Sequence, residues 1–470
     1  MPALPAHCLV QGMIDQRTGY AGKSYGMGFE LRLPAAWNGR FLFQGGGGTD
    51  GVVRPAVGAG NTTPEAALAK GFAVVSTDAG HQGQDTSFGQ DQQARIDYAY
   101  NALGRVTGVA KQIVARFYGK PANKSYFMGC SNGGRQGMMA AQRFPTLFDG
   151  IIAGDPGFRL SRAAIAEAWD NQAFLAIAPK DDSGMKIFSQ ALTESDLTLM
   201  SKAVLEACDP GDGLKDGLID NPQACRFDPA VLACKGTDTN GCLSAPKIDA
   251  MKKIFSGAVN SRGDKLYSDW PWDGGIGSPG WRVWKLGNSK TAQSNAINMT
   301  MGAGSLKEYF STPFDPNFDT LKYDFDKDPA RIASTTAIND PDSTQLSTFS
   351  GRGAKLMLYH GMSDPVFSAN DTIRYYQRLA DDNGGAAKVR DFARLYLIPG
   401  MNHCGGGPAL DQFDALSALV DWVEKGSAPE SLRATGPAFP GRSRPMCSFP
   451  QQPHYKGTGS VDDAGSFECR

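Results

Sequence analysis

The pentapeptide Gly129-Cys130-Ser131-Asn132-Gly133 restricts the fold of this chain more than any other segment. The apolar run 125–128 precedes it and the helix-forming stretch 135–143 follows it. Such a strand–turn–helix strains the serine backbone, so small residues are needed two positions before and after it to avoid clashes. Gly-x-Ser-x-Gly is common by chance, but in this context it predicts a nucleophile elbow with Ser131 as the nucleophile.

An aspartate and a histidine in the C-terminal part of the chain complete a predicted catalytic triad. Asp364 lies in the loop after the apolar strand 356–359, and His403 lies in the segment 399–405 after a second apolar strand. The chain order Ser, Asp, His is the order expected of α/β-hydrolases. Because a serine hydroxyl is a weak nucleophile at neutral pH, Ser131 requires His403 as a base and Asp364 to orient that base.

Two other histidines, His81 and His360, also follow apolar strands and could stand near the site. Of these three histidines, only His403 is followed by a cysteine, Cys404, that a disulfide could link to Cys130 beside the nucleophile. His403 is therefore favoured as the base, and a structural role is the default for the other two. The acids that compete with Asp364 are Asp78 and Asp155.

Backbone donors for an oxyanion are predicted after the nucleophile and in a glycine run. The amide of Asn132 directly follows Ser131, which is one usual donor position. The run 45–48 lacks side chains, so its backbone could approach a substrate carbonyl closely, and Gly46 or Gly47 is predicted as the second donor. The run could also form a flexible turn, whereas a phosphate cradle is disfavoured because no Lys-Ser/Thr follows it.

Strands and helices alternate in the N-terminal third of the chain, which predicts a doubly wound, mostly parallel α/β sheet. The alternation fades after about residue 160 and returns near residue 354. We therefore predict an α/β-hydrolase core formed by residues 1–160 and 346–470, with a large inserted lid domain at 161–345. The predicted strands are 29–43, 71–76, 125–128, 148–154, 354–359 and 393–398, and the predicted long helix is 94–117.

Charge and hydropathy exclude several classes of partner. Lys and Arg total 47 against 48 Asp and Glu, and no basic run could neutralise a row of phosphates, so no nucleic acid is expected. No apolar stretch approaches the roughly 20 residues that cross a bilayer. The first residues lack the charged and apolar regions of a secretion signal, so we expect any signal peptide to be absent from this chain.

The nine cysteines are many for a cytosolic enzyme of this size and predict a secreted or periplasmic location. Short spacings suggest local disulfide loops, although pairing cannot be deduced from sequence alone, and reduced core cysteines are the alternative. The suggested local pairs are Cys208 with Cys225, Cys234 with Cys242, and Cys447 with Cys469.

Two features of the middle region suggest binding sites. The loop 208–220 alternates carboxylates with glycines, which suits a hard cation such as calcium but lacks the glutamate that closes an EF-hand; an acidic turn without a ligand is the alternative. Four of the seven tryptophans lie within 270–284. They could form the lid core, while Trp281 and Trp284 could instead stack on an aromatic acyl group. Phe367, near Asp364, is the favoured substrate wall.

Together these motifs resemble the tannase and feruloyl esterase family. Cys130-Ser131, Asp364 and His403-Cys404 look like the Cys-Ser, Asp, His-Cys constellation of that family. The resemblance spans nearly the whole chain and includes segments 44–48 and 76–81. The resemblance implies a serine carboxylesterase that acts on small aromatic esters, of the feruloyl or galloyl kind, through an acyl-enzyme.

The same resemblance implies a metal and a disulfide pattern. Family members bind calcium in the matching loop, here through the side chains of Asp209, Asp212 and Asp216 and the carbonyls of Leu214 and Leu218. The resemblance also implies a Cys130–Cys404 disulfide, with Cys8 left without a partner.

Two other functions stay open at this point. The family includes mono(2-hydroxyethyl) terephthalate hydrolases, which grip the free carboxylate of their substrate with a lid arginine, and no arginine occurs at 288–305 where we would look for it. A calcium-dependent binding module on an inert hydrolase frame is an alternative from another class. It is disfavoured because an abandoned site has no physical reason to keep Ser131, Asp364 and His403 together.

Overall fold

A computed structural model describes residues 4–60, 62–235 and 241–470. Its strands are β1 (His7–Thr18), β2 (Ser24–Pro34), β3 (Arg40–Gln44), β4 (Ala73–Thr77), β5 (Lys124–Cys130), β6 (Gly150–Gly154), β7 (Lys355–Gly361), β8 (Ala393–Ile398), β9 (Ser431–Thr435), β10 (Ser443–Cys447), β11 (Pro453–Tyr455) and β12 (Phe467–Cys469).

The helices lie between and after the strands of the sheet. They are α1 (Gln92–Ile96), α2 (Ala102–Tyr118), α3 (Asn132–Arg143), α4 (Leu160–Ile177), α5 (Glu194–Cys208), α6 (Ala245–Phe255), α7 (Pro279–Lys285), α8 (Ala333–Asn339), α9 (Ser347–Gly351), α10 (Ala369–Asp382), α11 (Ala386–Arg390) and α12 (Ala415–Lys425).

The first eight strands form one sheet in the order β1-β2-β4-β3-β5-β6-β7-β8. The β1–β2 and β2–β4 pairs are antiparallel, and every pair from β4 to β8 is parallel. This topology confirms the predicted α/β-hydrolase core. In such a sheet the carboxyl ends of the parallel strands meet at one edge, where ligands bind.

Buried apolar strands explain why most of the sheet could be predicted. Every residue of β4 and β6 is buried, as expected for parallel strands covered on both faces. The predicted strand 29–43 is two strands, because the chain turns at Gly39, where φ is 83°. The predicted helix 94–117 consists of α1 and α2 joined by a π-helical turn at Asp97–Asn101.

Residues 155–354, called the insertion below, separate β6 from β7. In the part of it that the structure describes, no segment joins the large sheet. The insertion has its own apolar core, which includes Phe174, Met251 and Trp281 and also receives Phe367 from the loop after β7. The domain limits at 160 and 345 stay a prediction.

Four disulfides are formed, and they confirm the expected pattern. One joins Cys130 to Cys404 across 274 positions, and the other three close short loops. Cys8 is exposed and free. Among the described residues, no helix has both the length and the apolar character needed to cross a membrane.

Candidate active site

Ser131 lies in the sharp turn between β5 and α3. Its backbone has φ 65° and ψ −124°, a strained conformation for a residue with a side chain. A Cβ atom on Gly129 would lie 2.7 Å from the carbonyl of Gly133, and one on Gly133 would lie 2.7 Å from the carbonyl oxygen of Gly46. Both glycines are therefore required for the close packing of strand, helix and glycine run that the elbow motif predicts.

The glycine run is tied to α3 through a buried aspartate, Asp50. The amide of Gly47 donates to Asp50 (2.8 Å), and the amide of Gly46 donates to Gln136 (2.9 Å). Asp50 also accepts from the side-chain amides of Asn132 and Gln136, both at 2.8 Å. Burial raises the pKa of Asp50 to about 7. The amides of Gly46 and Gly47 thus already have side-chain acceptors, and their role as oxyanion donors stays a prediction.

Asp364 and His403 meet at the carboxyl edge of the sheet, in the loops after β7 and β8. Nδ1 of His403 lies 2.8 Å from Oδ2 of Asp364, and Oδ1 of Asp364 accepts hydrogen bonds from the amides of Val366 and Phe367. Burial opposes the charged form of Asp364, but the adjacent His403 and His360 hold its pKa well below the usual range. Asp364 is therefore ionised and fixed in position.

The second ring nitrogen of His403 is buried and has no hydrogen-bond partner among the described residues. The rings of Trp284 and Phe367 pack edge-on against the imidazole, at centroid distances of 5.1 and 5.4 Å. Burial alone would lower the pKa of His403, but the carboxylate of Asp364, with a contribution from Asp155, raises it. The arrangement provides an imidazole with one oriented nitrogen and one free basic nitrogen.

The Cys130–Cys404 disulfide joins the neighbours of Ser131 and His403, with 6.0 Å between the two Cα atoms. Asp155 lies beside it, fully buried, and accepts from the amides of Cys404 (3.2 Å) and Gly361 (2.7 Å). Burial raises the pKa of Asp155 to about 7. This competing acid therefore supports the backbone of the histidine loop, and its Oδ1 lies 3.8 Å from Nε2 of His360.

The two other histidines near the sheet have structural contacts. Nε2 of His360 lies 3.0 Å from the carbonyl oxygen of Phe367 and 3.3 Å from Asp364, while Nδ1 lies 2.8 Å from Thr372. His360 is thus a second histidine, besides His403, that contacts the carboxylate of Asp364. His81 stacks on Phe88 at 3.8 Å, and burial lowers its pKa to about 4.

A cavity that is partly open to solvent, with about 520 Å³ of empty space, borders Ser131 and Asn132. The predicted substrate residues Trp284 and Phe367 line it. Trp281 is only 3% exposed and belongs to the core of the insertion instead. Most of the remaining wall is apolar and includes Leu160, Ala164, Met301, Tyr309, Phe310 and Val366.

The loop closed by Cys208–Cys225 holds the predicted calcium ligands. Asp209 accepts from the amides of Asp216 and Gly217, and Asp212 accepts from those of Leu214 and Asp220. The amide of Leu218 donates to Asp216, which also pairs with Arg444.

The carboxylates of this loop repel one another, but the oxygens of Asp209, Asp212 and Asp216 do not all lie within 4.8 Å of one another. Burial raises the pKa of both Asp209 and Asp212, and the charge of Asp216 raises both further. Gly213 and Gly217 have φ of 95° and 90°, which lets the chain wrap tightly. A bound cation would offset this repulsion between carboxylates, and carboxylate oxygens are the ligands that calcium prefers.

Sequence reasoning missed three polar residues around the cleft: Asp50, Gln136 and Glu167. Asp50 reaches Gln136 across 86 positions, a separation that leaves no spacing signal. Glu167 lies on α4, which is buried nearly all round, so no amphipathic stripe marks its direction. The one available signal was an acidic residue within an alanine-rich apolar segment.

Comparisons with known proteins place this chain in a family. The family model described as tannase and feruloyl esterase matches residues 8–470. The mono(2-hydroxyethyl) terephthalate hydrolase of Piscinibacter sakaiensis is 43% identical, over 99% of this chain and 85% of that protein. A protein named probable feruloyl esterase B-1, from Aspergillus oryzae, is 31% identical over 94% of this chain and 80% of its own length.

A solved structure agrees with the sequence comparisons. Feruloyl esterase B from Aspergillus oryzae superposes with a TM-score of 0.81 at 28% identity, covering 99% of this chain and 96% of that one. The resemblance and the ester hydrolase prediction are confirmed, and a binding module is not supported. The chain belongs to the tannase and feruloyl esterase family and is an ester hydrolase.

Proposed function

We propose that this chain is a serine carboxylesterase that hydrolyses esters of aromatic acids of the feruloyl or galloyl kind. The observation that carries the proposal is the arrangement at one edge of the sheet. A strained elbow presents Ser131, and a disulfide ties it to a loop in which His403 is oriented by Asp364 and keeps its second nitrogen free.

The reaction would proceed in two steps. The Ser131 hydroxyl attacks the ester carbonyl and gives its proton to Nε2 of His403, while Asp364 stabilises the imidazolium. The imidazolium then protonates the leaving alcohol, which leaves an acyl-serine. Water repeats the sequence, with His403 as base and then acid, and releases the aromatic acid and free Ser131.

The oxyanion requires two donors during both steps. The amide of Asn132 is the first of α3 and has no acceptor within its helix. A second donor is proposed from Gly46 or Gly47. For either glycine to serve, its amide must turn from Gln136 or Asp50 toward the oxyanion.

The walls of the cleft favour an aromatic acyl group. The 520 Å³ cavity offers the rings of Trp284, Phe367 and Phe310 for stacking. A second depression of about 970 Å³ reaches Ser131 from the side of the Cys130–Cys404 disulfide and Arg54, and it suits the alcohol portion of the substrate.

Methyl ferulate and methyl gallate assayed side by side test the identity of the acyl group. A burst of nitrophenol from an activated ester, absent in Ser131→Ala, tests the acyl-enzyme, and turnover retained by that variant would refute the proposed nucleophile.

Hydrolysis of mono(2-hydroxyethyl) terephthalate is the second candidate, favoured by the 43% identity to a protein of that name. Among the described residues that line the 520 Å³ cavity, none is a lysine or arginine that could pair with the carboxylate of this substrate. We expect its kcat/KM to be lower than that of methyl ferulate. The reverse order would make it the preferred substrate.

We also propose a structural calcium ion and export from the cytosol. The ion would be held by the side chains of Asp209, Asp212 and Asp216 with the carbonyls of Leu214 and Leu218, where it would offset the carboxylate repulsion described above. Four disulfides support a secreted or periplasmic location.

A further inference from the structure

The cleft contains one carboxyl group that the proposed reaction does not use. Helix α4 presents Leu160, Ala164 and Glu167 to the cavity, at the spacing of one helical face. Glu167 is 3% exposed, and it is the only acidic residue among the described residues that line this cavity. Ser131 and Phe367 line the same space.

The carboxyl of Glu167 has no hydrogen-bond or ion-pair partner among residues 4–60, 62–235 and 241–470. The contrast with Asp170 on the same helix is direct, because Asp170 is also buried and pairs with Lys285. The Glu167 oxygens are not among the fully enclosed polar atoms that lack a partner, so they reach the space of the cavity. The mostly apolar wall offers them few hydrogen bonds, although buried polar groups are usually hydrogen-bonded. An acceptor or donor supplied by a bound molecule would explain why a glutamate occupies this position.

Gly302 makes room for this carboxyl. A Cβ atom at position 302 would lie 1.7 Å from Oε2 of Glu167, so even alanine would displace the carboxyl group. The carboxyl of Glu167 is therefore packed directly against the backbone of Gly302. Its position is defined by the fold even though no hydrogen bond holds it.

The surroundings also set the charge of this group. Burial raises the pKa of Glu167 well above its usual value; Lys285 opposes this shift, and the carboxylates of Asp170 and Asp364 add to it. A protonated carboxyl both donates and accepts hydrogen bonds. It suits a neutral hydroxyl group and offers no counter-charge to a carboxylate.

We propose that Glu167 is a specificity-determining residue that binds a hydroxyl substituent on the aromatic ring of the substrate and disfavours esters that carry a free carboxylate. The inference rests on the proposed esterase function and assigns the recognition of the ring hydroxyl to one side chain, Glu167. Glu167 takes no part in the bond-breaking steps.

The test compares methyl 4-hydroxycinnamate with methyl cinnamate, which differ only in the ring hydroxyl. We expect the wild-type enzyme to favour the hydroxylated ester by about tenfold or more in kcat/KM. Glu167→Leu should bring this ratio close to one, and Glu167→Gln should keep part of it. Gly302→Ala should reduce the ratio because it moves the carboxyl. Glu206→Leu, on an exposed face of α5, is the matched control and should leave the ratio unchanged.

Two further measurements separate this proposal from the esterase proposal. Calorimetric binding of both esters to Ser131→Ala, with and without Glu167→Leu, reports on Glu167 without turnover. If the wild-type enzyme hydrolyses neither ester but the affinity ratio depends on Glu167, only the proposed reaction fails. Glu167→Leu should also raise the midpoint of thermal unfolding, because it removes an unpartnered buried carboxyl. Equal ratios in wild type and Glu167→Leu, in both assays, would overturn the inference.

Discussion

Two buried carboxyl groups near the candidate active site, Asp364 in the core and Glu167 in the insertion, have opposite surroundings. Asp364 accepts hydrogen bonds from His403 and from two backbone amides, and its pKa is lowered. Glu167 has no partner among the described residues, and its pKa is raised. The core therefore holds the fixed negative charge of Asp364, which can stabilise a positively charged His403 during the proposed reaction. The insertion holds a neutral group whose hydrogen bonds are left for the ligand.

The largest effect should follow from neutralising the core carboxyl. Asp364→Asn removes the charge that stabilises the imidazolium of His403 and allows the wrong tautomer. We expect kcat to fall by about 10⁴ with methyl ferulate, as this change does in other Ser-His-Asp sites. Glu167→Gln should change the preference between esters far more than it changes kcat.

Asp421→Asn, on an exposed face of α12, is the control for Asp364→Asn and should leave kcat unchanged. Circular dichroism would verify that both variants are folded. A loss below tenfold in Asp364→Asn would contradict the role given to Asp364.

The next effect concerns the disulfide that joins Ser131 and His403 through their neighbours. The Cys130→Ser/Cys404→Ser variant frees the histidine loop, and we expect kcat/KM to fall by about 10² because the proposed nucleophile and base lose their alignment. Loop closure over 274 residues also predicts a loss of about 5 kcal/mol in the free energy of unfolding.

The matched control is Cys447→Ser/Cys469→Ser, which opens a loop of 22 positions. It should reduce the free energy of unfolding by about 3 kcal/mol and leave kcat/KM near the wild-type value. With mild reductant, activity of the wild-type enzyme should decline before the far-ultraviolet signal does. Equal losses of activity in the two double variants would mean that the core disulfide serves stability alone.

A smaller and graded effect is expected from pH. The base must be neutral to accept a proton, and the carboxylates of Asp364 and Asp155 raise the pKa of His403 above its ordinary 6.5. The rising limb of kcat/KM should therefore have its midpoint above pH 6.5. Asp155→Asn should move that midpoint down, because it removes a negative charge that favours the imidazolium. A midpoint unaffected by Asp155→Asn would show that this charge does not reach the base.

The parts of the core that could be predicted are those with local signals. The elbow around Ser131 could be predicted because a strand, a turn and a helix are adjacent in sequence. The cysteines beside Ser131 and His403 indicate a long-range contact, which hydrophobic periodicity could not indicate. The strand β1 was missed because most of its residues are exposed and it pairs at an antiparallel edge. Propensity and pattern are weakest for such strands.

The insertion was less predictable because packing, and not local pattern, directs its side chains. Trp281 and Trp284 lie three residues apart on α7, yet one packs inside the insertion and the other contacts His403. The direction of Glu167 depends likewise on how α4 meets Gly302, far along the chain. Composition could suggest aromatic walls, but only tertiary contacts decide which ring or carboxyl faces the cleft.

The smallest effect on catalysis should come from removing calcium. The proposed cation in the loop of Asp209, Asp212 and Asp216 would lie in the insertion, so chelation should lower the midpoint of thermal unfolding by about 2–3 °C. The initial rate with methyl ferulate should be nearly unchanged, because Asp364 and His403 are held by the core. Asp212→Asn should lower the midpoint without added chelator and make it insensitive to calcium. Immediate loss of activity on chelation would mean that the loop supports the core chemistry directly, and the division between a reactive core and a ligand-selecting insertion would fail.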